Sequence, residues 1–224
     1  MTTDSPPTRF DYYRRLSKKD KATYDASDAI AKVALGSIRD VRAAAAALEE
    51  VLATGDRRAT QAAARLLVAA ITTDLGTESV VVKVLTRRPT SASHELHGLY
   101  VREEGADPII RVWMRTSVHR KVVRPRTFLR TLLHEVLHHL DFALFGLEES
   151  FHTQGFYRRE SDLVRRVLGP SRSTETRRSG EAGRPTNESD GRSASPTAKE
   201  PRRRTEEQTQ LSLFSSELDR SKTS

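Results

Sequence analysis

The C-terminal part of the chain contains too few apolar residues to form a hydrophobic core. The 55 residues over 170–224 contain only seven hydrophobic side chains, and the whole chain of 224 residues is 36% hydrophobic. A segment this polar cannot bury enough apolar surface to offset the conformational entropy lost on folding. We therefore predict a folded region that ends near residue 169 and a disordered C-terminal tail.

Cysteine does not occur in the chain. Its absence excludes disulfides, cysteine-ligated zinc ribbons, iron–sulfur clusters and thiol catalysis, so any metal must be held by histidine, aspartate or glutamate. The first residues lack the basic and apolar stretches of a secretion signal, and no apolar run approaches the length of a membrane span. We therefore expect a soluble, cytoplasmic protein without a membrane partner.

Hydrophobic spacing predicts helices on either side of a run of short strands. Apolar residues recur at helical spacing in stretches that end at glycines such as Gly55 and Gly76, and Leu66, Ala70 and Ile71 are placed on one apolar helix face. Alternating β-branched stretches predict the strands. The predicted helices cover 27–35, 38–52, 58–75, 126–145 and 154–168, and the predicted strands cover 80–85, 97–102 and 109–114.

This order of elements predicts an α+β fold in which a small three-stranded sheet is packed with helices. We divide the chain into an N-terminal helical region over 1–76, a domain over 77–169 and the tail over 170–224. The net charge is +8, and it resides mainly in the folded part, because the tail balances 11 Lys and Arg against 9 Asp and Glu.

The helix after Pro125 carries the sequence His134-Glu135-Val136-Leu137-His138. Residues four apart lie one turn apart on the same helix face, so the two imidazoles can bind one ion. A zinc ion held there would acidify a water molecule, and Glu135 would take the proton as the water attacks a carbonyl. The pattern therefore predicts one Zn²⁺ ion on His134 and His138, with Glu135 as the general base.

A hydrolytic zinc site needs a third protein ligand. The metzincin pattern is excluded, because it requires glycine and histidine where this chain has Asp141 and Leu144. His152, after the helix break, is one candidate for the third ligand and Glu160 is the other. Asp141 lies seven residues after His134 on nearly the same helix stripe, so it either orients a ligand imidazole or is a helix-surface acid.

The metal motif and the residues after it resemble the SprT-like metallopeptidases. Their pattern is HExxH, a gap of one to two dozen residues, then H-G-x-x-F and a leucine seven residues later. This chain has His134-Glu-Val-Leu-His138, then His152-Thr-Gln-Gly-Phe156, then Leu163. The resemblance covers approximately 80–168. It departs from the pattern at Thr153, where glycine is usual, and in lacking a cysteine-rich zinc ribbon.

The resemblance implies a zincin-type fold with one zinc ion and Glu135 as the general base. It also favours His152 over Glu160 as the third ligand. The implied metal ligands are His134, His138 and His152.

A basic stretch leads directly into the metal motif. No acidic residue lies between Asp107 and Glu135, whereas seven basic residues do. Clustered arginine and lysine beside a cleft attract phosphates, which makes DNA a candidate partner. The alternative is a solvated loop whose charges pair with acids elsewhere, such as Glu148 and Glu149. The candidate nucleic-acid-proximal residues closest to the motif are Arg120, Lys121, Arg124, Arg126 and Arg130.

The tail contains one apolar island, Gln210-Leu211-Ser212-Leu213-Phe214. It resembles the bacterial sliding-clamp-binding motif Q-L-[SD]-L-F at all five positions. In such peptides the glutamine anchors one subsite, and the Leu-Phe pair fills an apolar pocket on the DNA polymerase clamp. A disordered tether with a short apolar anchor can act as a recruitment device. The alternative is that the island docks on the body of this protein.

Together these features resemble the layout of Spartan-type proteases, which combine an SprT-like domain with DNA binding and a clamp-interaction peptide and degrade proteins crosslinked to DNA. We therefore expect a bacterial zinc metallopeptidase, associated with the nucleoid, that hydrolyses DNA-associated proteins at replication or repair sites. One alternative is a non-catalytic DNA- or clamp-associated adaptor with a structural metal site. Another is a regulatory peptidase with a single dedicated substrate.

Overall fold

The computed structural model of the protein describes residues 9–87, 97–117 and 119–169. These residues belong to one compact unit, which spans Met1–Pro170. Within them the structure contains five α-helices and a three-stranded sheet, which confirms the predicted α+β class. A short 3-10 turn, Asp11–Arg15, comes first. The elements are α1 (Lys18–Ala29), α2 (Ile38–Thr54), α3 (Arg57–Leu75), β1 (Val81–Arg87), β2 (Gly98–Val101), β3 (Ile109–Arg115), α4 (Pro125–Ala143) and α5 (Gln154–Leu168).

The sheet is mixed, with the strand order β1-β3-β2. The central strand β3 pairs in parallel with β1 and antiparallel with β2. Ile110, Val112 and Met114 of β3 are buried in the core, as their alternation predicts. All three predicted strands are therefore present, and β2 lies at the edge of the sheet.

Side chains of α3 cover the outer edge of β1. Edge strands carry unpaired backbone groups that would otherwise recruit further strands. The Val84 N–H donates to Gln61 Oε1 at 3.1 Å. Arg57 donates to the Val84 carbonyl at 3.3 Å, and Arg65 donates to the Val82 carbonyl at 3.2 Å. The sheet is thus closed on this side by polar side chains.

Helices α2 and α3 form as predicted and end at Gly55 and Gly76, whose φ angles of 74° and 63° are left-handed. Of the predicted apolar face of α3, Ile71 is buried in the core. Leu66 is wrongly placed on that face, because its side chain is 68% exposed. The neighbouring Leu67 is buried instead. One residue of helix rotates a side chain by about 100°, so an offset of one position is enough to turn it to solvent.

The first helix differs from the prediction over 27–35. Helix α1 ends at Ala29, and the residues that follow it up to α2 have an irregular backbone. The prediction failed because the buried residues of α1 are mostly polar, so they leave no apolar period to detect. These buried residues are Thr23, Tyr24, Ser27 and Asp28.

The segment after α1 is held by arginines of α5 rather than by helical hydrogen bonds. Arg166 donates to the carbonyls of Val33 at 2.7 Å and Leu35 at 3.0 Å. Arg159 donates to the Ile30 carbonyl at 2.9 Å. Because side-chain donors satisfy these carbonyls, the segment can cross the core surface without forming a helix, and Val33 and Leu35 are still buried.

Helices α2 and α3 share one hydrophobic core with the sheet, α4 and α5. Within the described part of the chain, no helix has both the length and the apolar character that crossing a membrane requires.

Candidate metal centre

Helix α4 presents the His-Glu-x-x-His motif from a buried segment. Phe128, Leu132 and Val136 are fully or almost fully buried on this helix. Their packing fixes the rotation of α4 and turns His134 and His138, one helical turn apart, towards the start of α5.

Three imidazoles converge in front of α4. His152 lies in the loop just before α5. Its Nε2 atom is 3.0 Å from His134 Nε2, and His138 Nε2 is 3.2 Å from His134 Nε2. The ligand atoms of all three histidines lie within 4.8 Å of one another. This triad could therefore hold a metal ion.

The spacing of the triad fits zinc. Two nitrogens bound at about 2.0–2.1 Å to one tetrahedral Zn²⁺ ion lie about 3.3 Å apart, close to the 3.0 and 3.2 Å found here. Three histidine nitrogens with a fourth position left for water or substrate are also a known catalytic zinc donor set. The residues present thus fit the group that the motif implies.

Burial favours the neutral form of His138 and His152, which is the form that binds a metal ion. Burial, reinforced by the neighbouring imidazoles, lowers the pKa of His138 well below its usual value. Burial and the charge of His134 lower the pKa of His152 to about 3. Both side chains are therefore unprotonated at neutral pH and have a lone pair available.

A hydrogen-bond relay orients His138. Its Nδ1 atom lies 2.7 Å from Ser150 Oγ, and Ser150 Oγ donates to Asp141 Oδ2 at 2.6 Å. A serine hydroxyl can donate only one hydrogen bond, and here it donates that bond to the Asp141 carboxylate. Ser150 therefore accepts from His138 Nδ1–H, which leaves the Nε2 lone pair directed at the triad. Asp141 is thus connected to His138 through Ser150 rather than directly.

The far end of this relay is an ion pair between Asp141 and Arg159. Arg159 Nη2 donates to Asp141 Oδ1 at 2.8 Å, and both side chains are 0% exposed. Burial raises the pKa of Asp141, against the opposing effects of Arg159 and Ser150. Burial also lowers the pKa of Arg159, against the effect of Asp141. The pair is strongly desolvated, and the hydrogen bonds that Arg159 Nη2 and Ser150 Oγ donate to Asp141 help to offset that cost.

Glu160 orients His134 from the opposite side. Its Oε2 atom lies 3.6 Å from His134 Nδ1, and its Oε1 atom accepts from Arg130 Nε at 2.9 Å. Burial alone would raise the pKa of Glu160, but the hydrogen bonds and charges of His134 and Arg130 lower it below its usual value. Glu160 therefore lies at the ring nitrogen of His134 that is turned away from the triad, whereas His152 is itself the third member of the triad.

Glu135 is buried where α4 meets the edge strand β2. Gly98 of β2 packs directly against it: a Cβ atom at Gly98 would come within 2.8 Å of Glu135 Cγ and of Thr131 Cγ2. Contacts this close do not occur between real side chains, so only glycine leaves room for the Glu135 side chain at this position.

The ring of Phe156 packs against all three imidazoles of the triad. Its ring centroid lies 5.1 Å from that of His134, 4.8 Å from His138 and 5.0 Å from His152. Thr153 caps α5 by accepting from the Phe156 N–H at 2.9 Å. The departure from glycine at this position therefore has a structural use, since it anchors the helix start next to His152.

The basic residues before and on α4 have mixed surroundings. Arg120, Lys121 and Arg124 are exposed. Arg126 also has an exposed side chain, yet it donates to the carbonyls of Leu168 and Gly169 at the end of α5. Together with the Arg130–Glu160 pair described above, this contact shows that part of the charge serves to join α4 to α5.

The clamp-like segment over 210–214 lies outside the described residues.

Several residues of the centre could not be recognised from the sequence. Ser150, Arg159 and Gly98 are separated in sequence from the motif, and their types are common in loops, helices and strands. Their roles depend on the tertiary fold. A local signal exists only for Thr153, a preferred N-cap residue before an apolar helix.

Comparison of the chain with protein-family models, with curated proteins and with solved structures found no match.

Proposed function

We propose that the protein is a zinc-dependent metallopeptidase with a zincin-like fold, of the SprT-like kind. The observation that carries the proposal is the convergence of three histidine Nε2 atoms, the first of which belongs to the residue that directly precedes a buried glutamate in sequence. A purely structural metal site has no use for that carboxylate, whereas a hydrolytic site requires it.

The chemistry follows from the surrounding groups. A bound zinc ion would supply Lewis acidity, which acidifies water and polarises a peptide carbonyl. Glu160 and Ser150 hold the imidazoles of His134 and His138 with their Nε2 lone pairs directed at the triad. Glu135 accepts the proton of the attacking water and later delivers it to the leaving amine, as a general base and then a general acid.

The proposed substrates are proteins associated with DNA. The exposed Arg120, Lys121 and Arg124 just before α4 support this part of the proposal, because such side chains attract phosphates. The sequence over 210–214 supports recruitment to a bacterial sliding clamp, and with it a location at the nucleoid.

The test compares the full-length, zinc-loaded parent with Glu135→Gln on casein and on a DNA-bound protein, with and without single-stranded DNA. The exposed Glu149→Gln is the matched control. We expect the parent and the control to cleave, and Glu135→Gln to lose activity by a factor of about 10²–10⁴ at unchanged zinc content. Equal cleavage by parent and Glu135→Gln would refute the mechanism.

The same experiment separates the enzyme from the adaptor. If neither the parent nor Glu135→Gln cleaves protein while both bind zinc and the clamp, the metal site is structural and the adaptor function takes the place of the peptidase.

A further inference from the structure

We propose that the N-terminal segment from Phe10 to Ile30 positions the metal centre through its contacts with His152, Gly155 and Arg159, with Tyr12 as the positioning residue for His152. This inference rests on the metal site of the proposed function. The segment lies far from the motif in sequence. Its contacts reach His152, the proposed third ligand, and the hydrogen-bond relay behind His138.

The first contact is direct. Tyr12 lies in the 3-10 turn before α1, and its hydroxyl donates to the His152 carbonyl at 3.2 Å. His152 is in a loop, where the backbone has no helical hydrogen bonds to fix it. The Tyr12 hydroxyl, 140 residues away in sequence, therefore supplies a restraint that the loop itself lacks.

Aromatic rings of the same segment contact Phe151 and Tyr157, which lie just before and shortly after His152 in sequence. Tyr24 of α1 contacts Phe151, with ring centroids 6.2 Å apart, and Phe10 contacts Tyr157 at 6.1 Å. Tyr157 in turn stacks on the His152 imidazole at 5.8 Å. Contacts of this kind restrict ring orientation as well as burying surface.

The end of α1 also touches the start of α5 backbone to backbone. A Cβ atom at Gly155 would lie 2.5 Å from the carbonyl oxygens of Ser27 and Asp28. The Gly155 N–H donates to Asp28 Oδ1 at 2.6 Å. Glycine is thus required for this approach, which fixes α1 three residues beyond the third ligand.

Arg159 connects α1 with the relay behind His138. Its guanidinium donates to the Ser27 carbonyl at 2.6 Å and to the Ile30 carbonyl at 2.9 Å, while its other end holds Asp141. The fixed fork of the guanidinium can serve both sides at once. The N-terminal segment therefore reaches two of the three ligands, His152 through Tyr12 and His138 through Arg159.

The test uses full-length Tyr12→Phe with Tyr13→Phe as a matched control on the same turn. The Tyr13 hydroxyl donates to Asp25 at 3.0 Å, on the exposed surface. The zinc dissociation constant is measured by competition with a chromogenic chelator. The visible absorption of the cobalt-substituted protein reports ligand geometry, and thermal melting of the metal-free protein reports stability. Gly155→Ala, which forces α1 away from α5, is the second variant.

We expect Tyr12→Phe to weaken zinc binding about three- to tenfold, the effect of losing one hydrogen bond, and to shift the cobalt spectrum. Tyr13→Phe should change neither quantity, and Gly155→Ala should weaken zinc binding more than Tyr12→Phe does. Equal zinc affinity and cobalt spectra in the parent and Tyr12→Phe overturn the inference, as does an equal loss in both tyrosine variants.

The outcomes also separate this inference from the proposed function. A parent chain that binds zinc but cleaves no protein refutes the peptidase and leaves the role of Tyr12 standing. A parent chain that binds no zinc overturns both.

Discussion

Replacing Asp141 with asparagine is expected to destabilise the protein severely, although the two side chains have nearly the same shape. The substitution leaves the guanidinium of Arg159, which is 0% exposed, without its counter-charge. Removing one partner of a buried ion pair costs about 3–5 kcal/mol, because the other charge stays desolvated. For a domain of this size, about 2–4 °C is lost per kcal/mol, so the melting temperature should fall by about 6–20 °C.

Asp25→Asn is the matched control. Asp25 also joins an arginine, Arg9 at 2.9 Å, and also accepts from a hydroxyl, that of Tyr13 at 3.0 Å, but this pair is exposed to solvent. Exposed pairs contribute only about 0–1 kcal/mol. Both variants are measured by urea unfolding of the zinc-free protein.

The relay adds a second readout for Asp141→Asn. Without the carboxylate, Ser150 is no longer held as an acceptor for His138 Nδ1–H. Loss of such an outer partner typically weakens metal binding about 10–100-fold. If Asp141→Asn lowers the free energy of unfolding no more than Asp25→Asn and leaves zinc affinity unchanged, the result would contradict the proposed roles of both the buried ion pair and the relay.

Three further predictions concern the base, the ligands and the tail. Gly98→Ala should push the Glu135 side chain aside and reduce proteolysis at least about tenfold while zinc affinity is kept; full activity would show that this close contact does not position the base. Burial lowers the pKa values of His138 and His152 in the folded chain, that of His152 to about 3, whereas an unfolded histidine titrates near about 6.5. The unfolded chain therefore binds more protons than the folded chain below about pH 6.5. The free energy of unfolding of the metal-free protein should be highest above about pH 6.5 and should decrease as the pH falls towards about 3. His152→Gln should flatten this pH dependence in urea titrations, and an unchanged dependence of the unfolding free energy on pH would contradict the prediction. Deleting 210–214 should abolish binding to a purified sliding clamp in a pull-down, with catalytic activity on casein unaffected; undiminished clamp binding would remove the recruitment proposal.

The parts of the fold that could be predicted are those with a local physical signal. Helices α2 and α3 carry apolar residues at helical spacing and end at glycines, and both were predicted nearly to their ends. Helix α1 has no such signal, because it buries Tyr24 together with polar residues whose partners are distant in sequence. Ser27, for example, is buried where its carbonyl accepts a hydrogen bond from Arg159.

The same division applies to the metal centre. The spacing of His134 and His138 requires only a helix, so the pair could be read directly from the sequence. The convergence of His152 with them depends on the position of a loop, and the residues alone left Glu160 as an alternative. The parts of the site that escaped prediction altogether, such as Ser150 and Tyr12, act through contacts between distant segments that no periodic pattern encodes.

The most direct test of the proposed hydrolytic site is zinc K-edge X-ray absorption on the zinc-loaded, full-length protein. We predict three histidine nitrogens at about 2.0–2.1 Å and one exchangeable oxygen ligand, the set of a hydrolytic site. Replacing His152 should reduce the histidine count by one, whereas replacing His139, which bonds the Glu78 carbonyl at 3.0 Å, should not. A zinc ion with fewer than three histidine ligands, or with four protein ligands and no exchangeable position, would contradict the proposed hydrolytic site.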